Sequence, residues 1–86
     1  MLTFHTDPGH GWLEVPVNMI KLLGIADKIS EFSYRRADKV YLEEDCDLPV
    51  FLEAMRNQLG STPTWIERFT ENTPIRTYAR YMYWTL

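Results

Sequence analysis

His5-Thr6-Asp7-Pro8-Gly9-His10-Gly11-Trp12-Leu13-Glu14-Val15-Pro16 decides how the rest of the sequence is read, because these twelve positions hold a turn, both histidines and the approach to the first helix. Pro8 fixes φ at the second turn position, and Gly9 supplies the positive φ that a type II turn takes at the third. Gly11 then lets the chain re-enter a strand, and both glycines are expected at positive φ. On the near side, Leu2, Phe4 and Thr6 share one strand face while Thr3, His5 and Asp7 share the other. On the far side, Leu13 and Val15 alternate with Trp12 and Glu14. The stretch therefore reads as a β-hairpin with a Gly-flanked histidine at its tip.

The 86 residues fit one small domain, spanning 1–86. A chain of that size hides only about 60 to 65% of its unfolded surface, so each large apolar side chain matters. A composition that is 45% hydrophobic, 14% aromatic and 24% charged belongs to a folded protein and argues against disorder. No apolar run approaches the ~20 residues needed to cross a bilayer, and the first residues lack the cationic start and apolar core of a signal peptide; a cytoplasmic protein with no membrane partner is expected. The single cysteine, Cys46, excludes both an intrachain disulfide and a Cys-based zinc site. Net charge is −3, and residues 35–60 hold six acids against four bases, so the basic excess of a nucleic-acid binder is missing.

Pro16 suits the first turn of a helix whose apolar face is Met19, Ile20, Leu22 and Leu23. Gly24 followed by Ile25 has the form of a Schellman ending. Asp27 to Ser30 fits a short turn. Phe32, Tyr34 and Arg36 share a strand face, and Val40-Tyr41-Leu42-Glu43 follows after Ala37-Asp38-Lys39, giving a second hairpin. Asp47 is placed to N-cap a helix with Pro49 in its first turn and Phe51, Leu52, Met55 and Leu59 on one face, closed by Gly60. Residues 65–70 alternate as a strand, 71–74 turn, and 75–84 alternate again with rings on both faces. The expected fold class is α+β, a small antiparallel sheet with two helices on one face in the order ββ-α-ββ-α-ββ.

The segments His5-Thr6-Asp7-Pro8-Gly9-His10-Gly11-Trp12-Leu13-Glu14-Val15, Gly24-Ile25, Tyr41-Leu42-Glu43-Glu44-Asp45-Cys46-Asp47 and Ile75-Arg76-Thr77-Tyr78 resemble a family of small uncharacterised proteins encoded by phages, plasmids and their bacterial hosts. The resemblance covers most of the chain, while Tyr81-Met82-Tyr83-Trp84-Thr85-Leu86 falls outside it. It implies a genomic setting and no chemistry.

Three constellations carry candidate chemistry. His5, Asp7 and His10 can meet at a metal if the turn brings His10 back toward the strand; three ligands and an open position would suit catalytic zinc, whereas a structural turn explains the same residues without one. Glu43-Glu44-Asp45-Cys46-Asp47 lacks the alternating acids and central glycine of an EF-hand loop and serves either the following helix or a basic partner surface. The acids around Cys46 oppose a reactive thiolate. Arg76-Thr77-Tyr78-Ala79-Arg80-Tyr81 interleaves rings with cations, as single-strand nucleic-acid binders do and as half-buried strands also do. No phosphate loop, nucleophile elbow or catalytic pair is present.

The missing catalytic motifs lead to a non-enzymatic protein without a cofactor, and the setting that the resemblance implies, a phage or mobile element, points to one that binds and modulates a host or defence protein complex as an anti-CRISPR-like inhibitor would. Its partner surface is expected to comprise Glu43, Glu44, Asp45, Arg76, Tyr78, Arg80, Tyr81 and Trp84, with homodimerisation through the last strand a further possibility. The competing readings are a single-stranded nucleic-acid binder using Arg76, Tyr78 and Arg80, and a metal-dependent enzyme using His5, Asp7 and His10.

Overall fold

Apolar alternation on the first four strands gives one sheet face enough Phe, Leu and Val to build a core, and the rest of the chain wraps that sheet. The computed structural model describes residues 1–86. Strands β1 (Leu2–Thr6) and β2 (Gly11–Pro16) form the first hairpin, and β3 (Tyr34–Arg36) and β4 (Lys39–Glu43) the second. Between them lie helix α1 (Val17–Leu22) and a 3-10 turn at Ala26–Lys28. Helix α2 (Leu48–Leu59), β5 (Trp65–Phe69), a 3-10 turn at Pro74–Thr77, the two-residue β6 (Ala79–Arg80) and a last 3-10 turn at Tyr83–Thr85 complete the order. No helix is long and apolar enough to cross a membrane.

The class is α+β, with one six-stranded sheet in the order β5-β1-β2-β4-β3-β6. It is mixed, not antiparallel throughout: β5 pairs with β1 in parallel, with Leu2 opposite Trp65 and Thr6 opposite Phe69. The cause is α2, since a strand that follows a helical return from another strand runs in the same direction as the first. The expected hairpin of residues 65–84 is likewise replaced. β5 sits at one edge and β6 at the other, so residues 70–78 cross the sheet as a strap. Thr73 and Pro74 start the 3-10 turn inside it, the Thr73 hydroxyl accepting the Ile75 N–H, and this breaks the alternation that a long strand needs.

Phe4, Leu13, Val15, Val40 and Leu42 from the sheet join Val17 and Ile20 of α1, Leu48, Phe51 and Met55 of α2, and Tyr81 in one buried core. Tyr81 had been expected on the partner surface; its ring is 2% exposed and its hydroxyl donates to the Ala26 carbonyl. Burial pushes that phenol up to about 12. α1 ends as its sequence implied: Gly24 adopts φ +70, its N–H donates to Lys21 and the Ile25 N–H to Ile20, which is the Schellman pair. Asp47 occupies the N-cap position of α2 without capping it. Its buried carboxylate instead accepts from the Ser30 N–H and from the Ser30 and Ser33 hydroxyls, tying the approach to β3 onto the start of α2.

The turn glycines depart from expectation in a useful way. Neither Gly9 nor Gly11 has positive φ; Gly24 and Gly60 are the glycines that do. Gly11 is required by space, because a Cβ there would lie 2.6 Å from Phe4 Cζ, whereas one at Gly9 would lie 3.2 Å from Arg76 Nη2, which need yield only slightly. Gly11→Ala should therefore cost on the order of 1 to 3 kcal/mol through overpacking against the core. Gly9→Ala should cost less, and chemical denaturation of both variants checks the ranking; equal midpoints would remove close approach as the reason for Gly11.

Candidate functional site

Alternation leaves the second sheet face with Trp12, Tyr34 and Tyr41, three rings that small neighbours cannot cover. The strap covers them: Ile75, 2% exposed, is buried in one cluster with these rings, and Tyr78 packs against it. What fixes the strap is Asp7. The Asp7 Oδ1 atom accepts from the N–H groups of Gly9 and His10 at 2.9 and 2.8 Å, closing the hairpin turn. The same carboxylate accepts the Arg76 guanidinium in a two-point contact, Nε to Oδ2 at 2.7 Å and Nη2 to Oδ1 at 3.1 Å. Arg76 lies 5.3 Å above the Trp12 ring and also donates through Nη2 to His10 Nδ1 at 2.8 Å. An arginine has no acceptor, so His10 takes part here with an unprotonated Nδ1.

Beside the strap, at the end of the sheet where the β1–β2 turn meets the exit of β4, a cleft of about 280 Å³ opens. Trp12, Tyr34 and Phe32 supply its rings, Glu43, Asp45 and Cys46 one charged side, and His10, Arg76 and Arg80 the other. Glu43 is buried and directed by the backbone: its Oε2 accepts the N–H groups of Asp45 and Cys46 at 2.9 and 2.8 Å. Arg80 stacks 4.9 Å above Tyr34 and donates to the Glu31 carbonyl. Cys46 is exposed, and partial desolvation together with Glu43, Asp47 and Asp45 pushes its thiol up, away from the thiolate a nucleophile needs.

The sequence candidates are thus divided. Arg76, Arg80, Glu43 and Asp45 come together around the cleft, with Glu44 exposed beside it. Tyr78 is half-buried beneath Arg36, and Trp84 is 71% exposed on the last turn. Glu43 belongs to the loop's own hydrogen bonding more than to any free acidic patch. His5, Asp7 and His10 are not gathered for a metal: His5 Nε2 pairs with Glu14 Oε1 at 2.9 Å, and Asp7 is committed to Arg76 and the turn. No group of three or more His, Cys, Asp or Glu side chains is placed to hold a metal ion. Sequence reading missed Trp12, Tyr34 and Phe32 as a ring-lined cleft; their shared alternation, one ring on each of β2 and β3 with Phe32 just before β3, was the available signal.

The fold and cleft define a small α+β protein with a strap-closed mixed sheet and a ring-lined, doubly charged cleft at one end. No family model, curated protein or solved structure matches the chain.

The Arg76 guanidinium, aided by the Gly9 and His10 N–H groups, holds the Asp7 carboxyl well below the usual carboxylate range. A carboxylate depressed in the folded state contributes stability that is whole above the unfolded pKa of about 3.9 and drains away as pH falls toward the folded value. Asp7→Asn should lower the denaturation midpoint at neutral pH and flatten its acid dependence below about pH 4. A variant whose midpoint falls in parallel with the wild type down to acid pH would show that Asp7 is not the titrating pin.

Proposed function

We propose that this chain is a non-enzymatic interaction protein that docks a protein partner against the ring cluster beside its last strand. The observation that carries this reading is exposure: Phe32 is 58% exposed, Met82 42%, Tyr83 51% and Trp84 71%. The Tyr81 N–H donates to the Ser33 carbonyl and the Arg80 guanidinium to that of Glu31, so residues 31–33 and 80–82 lie side by side, with Tyr83 and Trp84 on the turn that follows directly. Tyr83 and Trp84 pack edge to face at 5.3 Å, which presents two preset rings at little cost in side-chain entropy. Trp, Tyr, Met and Arg are the residue types that anchor protein interfaces, and a small domain with a filled core has no internal use for them here.

Support for a host or defence complex as the partner, blocked sterically in the anti-CRISPR manner, comes from the resemblance to small phage- and plasmid-borne proteins. The single-strand nucleic-acid reading is weaker on physical grounds. Base stacking needs free ring faces, and Arg76, Arg36 and Arg80 already lie over Trp12, Tyr78 and Tyr34.

Tyr83→Ser with Trp84→Ser should leave the thermal midpoint nearly unchanged, since neither ring is buried, and should abolish co-purification of a stoichiometric partner from nuclease-treated bacterial lysate. Retention of that partner by the double variant would exclude this patch. A wild-type chain that binds only itself, by light scattering, would replace the foreign partner with a second copy.

A further inference from the structure

We propose that the cleft at the end of the sheet binds a small zwitterion, with ammonium and carboxylate in one molecule as in a free amino acid. The inference is independent of the protein-docking patch, which lies outside the cleft apart from Phe32 and Arg80. Opposite charges line the same 280 Å³ space, yet none of them pair across it. The molecule's side-chain acid–base contacts are His5–Glu14 and Asp7–Arg76, and neither spans the cleft.

Each wall is held back by its own commitments. On the acidic side, Glu43 is fixed by the two N–H groups on Oε2, and Oε1 accepts no backbone N–H, the Cys46 thiol being the neighbouring side-chain donor to this carboxylate. Asp45 is exposed and has no cationic partner. On the basic side, Arg80 is fixed by Tyr34 and the Glu31 carbonyl, with its Nε and Nη2 unused. Arg76 spends Nε and Nη2 on Asp7 and His10 and leaves Nη1 free. Trp12, 2% exposed, lines the base, and its Nε1 is the one buried side-chain polar atom without a partner.

A lone anion would meet the Glu43 and Asp45 carboxylates, and a lone cation would meet two guanidiniums. A dipolar ligand satisfies both sides, placing its ammonium at Glu43 Oε1 and Asp45 and its carboxylate at Arg80 and Arg76 Nη1. The volume suits a molecule of amino-acid size and lies below that of most drug-sized pockets. The remaining lining is His10, Phe32, Tyr34 and Cys46, and of its rings Phe32 is the exposed one that no arginine covers, so a third substituent meets Phe32, which favours an apolar or aromatic side chain on the ligand.

Isothermal titration of the full chain against the standard free amino acids tests this. One with an apolar or aromatic side chain should bind with one-to-one stoichiometry. Its amide and its N-acetyl derivative, which each lack one charge, should bind about tenfold or more weakly. The parent amino acid should weaken similarly on Arg80→Gln and Asp45→Asn, exposed positions at which the fold, checked by circular dichroism, should persist. Binding should survive Tyr83→Ser with Trp84→Ser, which separates this site from the docking patch. The proposal is overturned if no free amino acid binds at concentrations up to about 10 mM, or if a derivative lacking one charge binds as tightly as the parent.

Discussion

The Asp7 carboxylate is the point on which both faces of the sheet are organised. With one oxygen it closes the first hairpin through Gly9 and His10, and with both it holds a guanidinium from 69 residues further along the chain. Its side chain is 5% exposed while that of Arg76 is 46% exposed, so the acid is enclosed by its donors and the cation reaches in from solvent. Planar two-point recognition suits arginine and would be lost with lysine, which offers a single charge without the fork. That contact sets Arg76 over Trp12, anchors the strap that carries Ile75 into the ring cluster, and places Arg76 in the lining of the cleft.

A second polar centre does comparable work on the other side of β4. Ser33 donates to Asp47 and accepts the Glu43 N–H, while Asp47 also takes both donors of Ser30. Buried polar groups are tolerated when every partner is supplied, and here the donors come from the loop that must lie flat for β3 to begin. Two acids of one short run thus have inward tasks, and what remains at the surface is Glu44 and Asp45.

Local chemistry in the sequence was sufficient for the hairpins, for α2 and for the Gly24 ending, because alternation and capping act within a few residues. The direction of β5 was not legible from its own composition: Trp65 to Phe69 alternate equally well in either direction, and the neighbour is chosen by the geometry of the α2 return. Nor was the fate of residues 75–84, where an alternating pattern that fits a strand is overruled by Pro74, by the hole that Ile75 fills and by the core site that Tyr81 takes. Of the candidate site, the arginines and acids were visible as charges, but their meeting around Trp12 and Tyr34 depends on Asp7 finding Arg76, and no short-range pattern encodes that.

The order β5-β1-β2-β4-β3-β6 also has a meaning in time. β1 is synthesised before the other strands of the sheet, yet its outer edge is covered by β5 and its turn is fastened by Arg76, which follows Asp7 by 69 residues. At about 5 to 20 residues per second, a ribosome leaves that edge without its partner for several seconds. Contacts so distant in sequence also slow the final closure relative to the hairpins that precede it. β5 and the strap therefore close an edge that β1 leaves open, and any interruption of synthesis after β4 would release a half-covered sheet with its hydrogen-bonding edge bare.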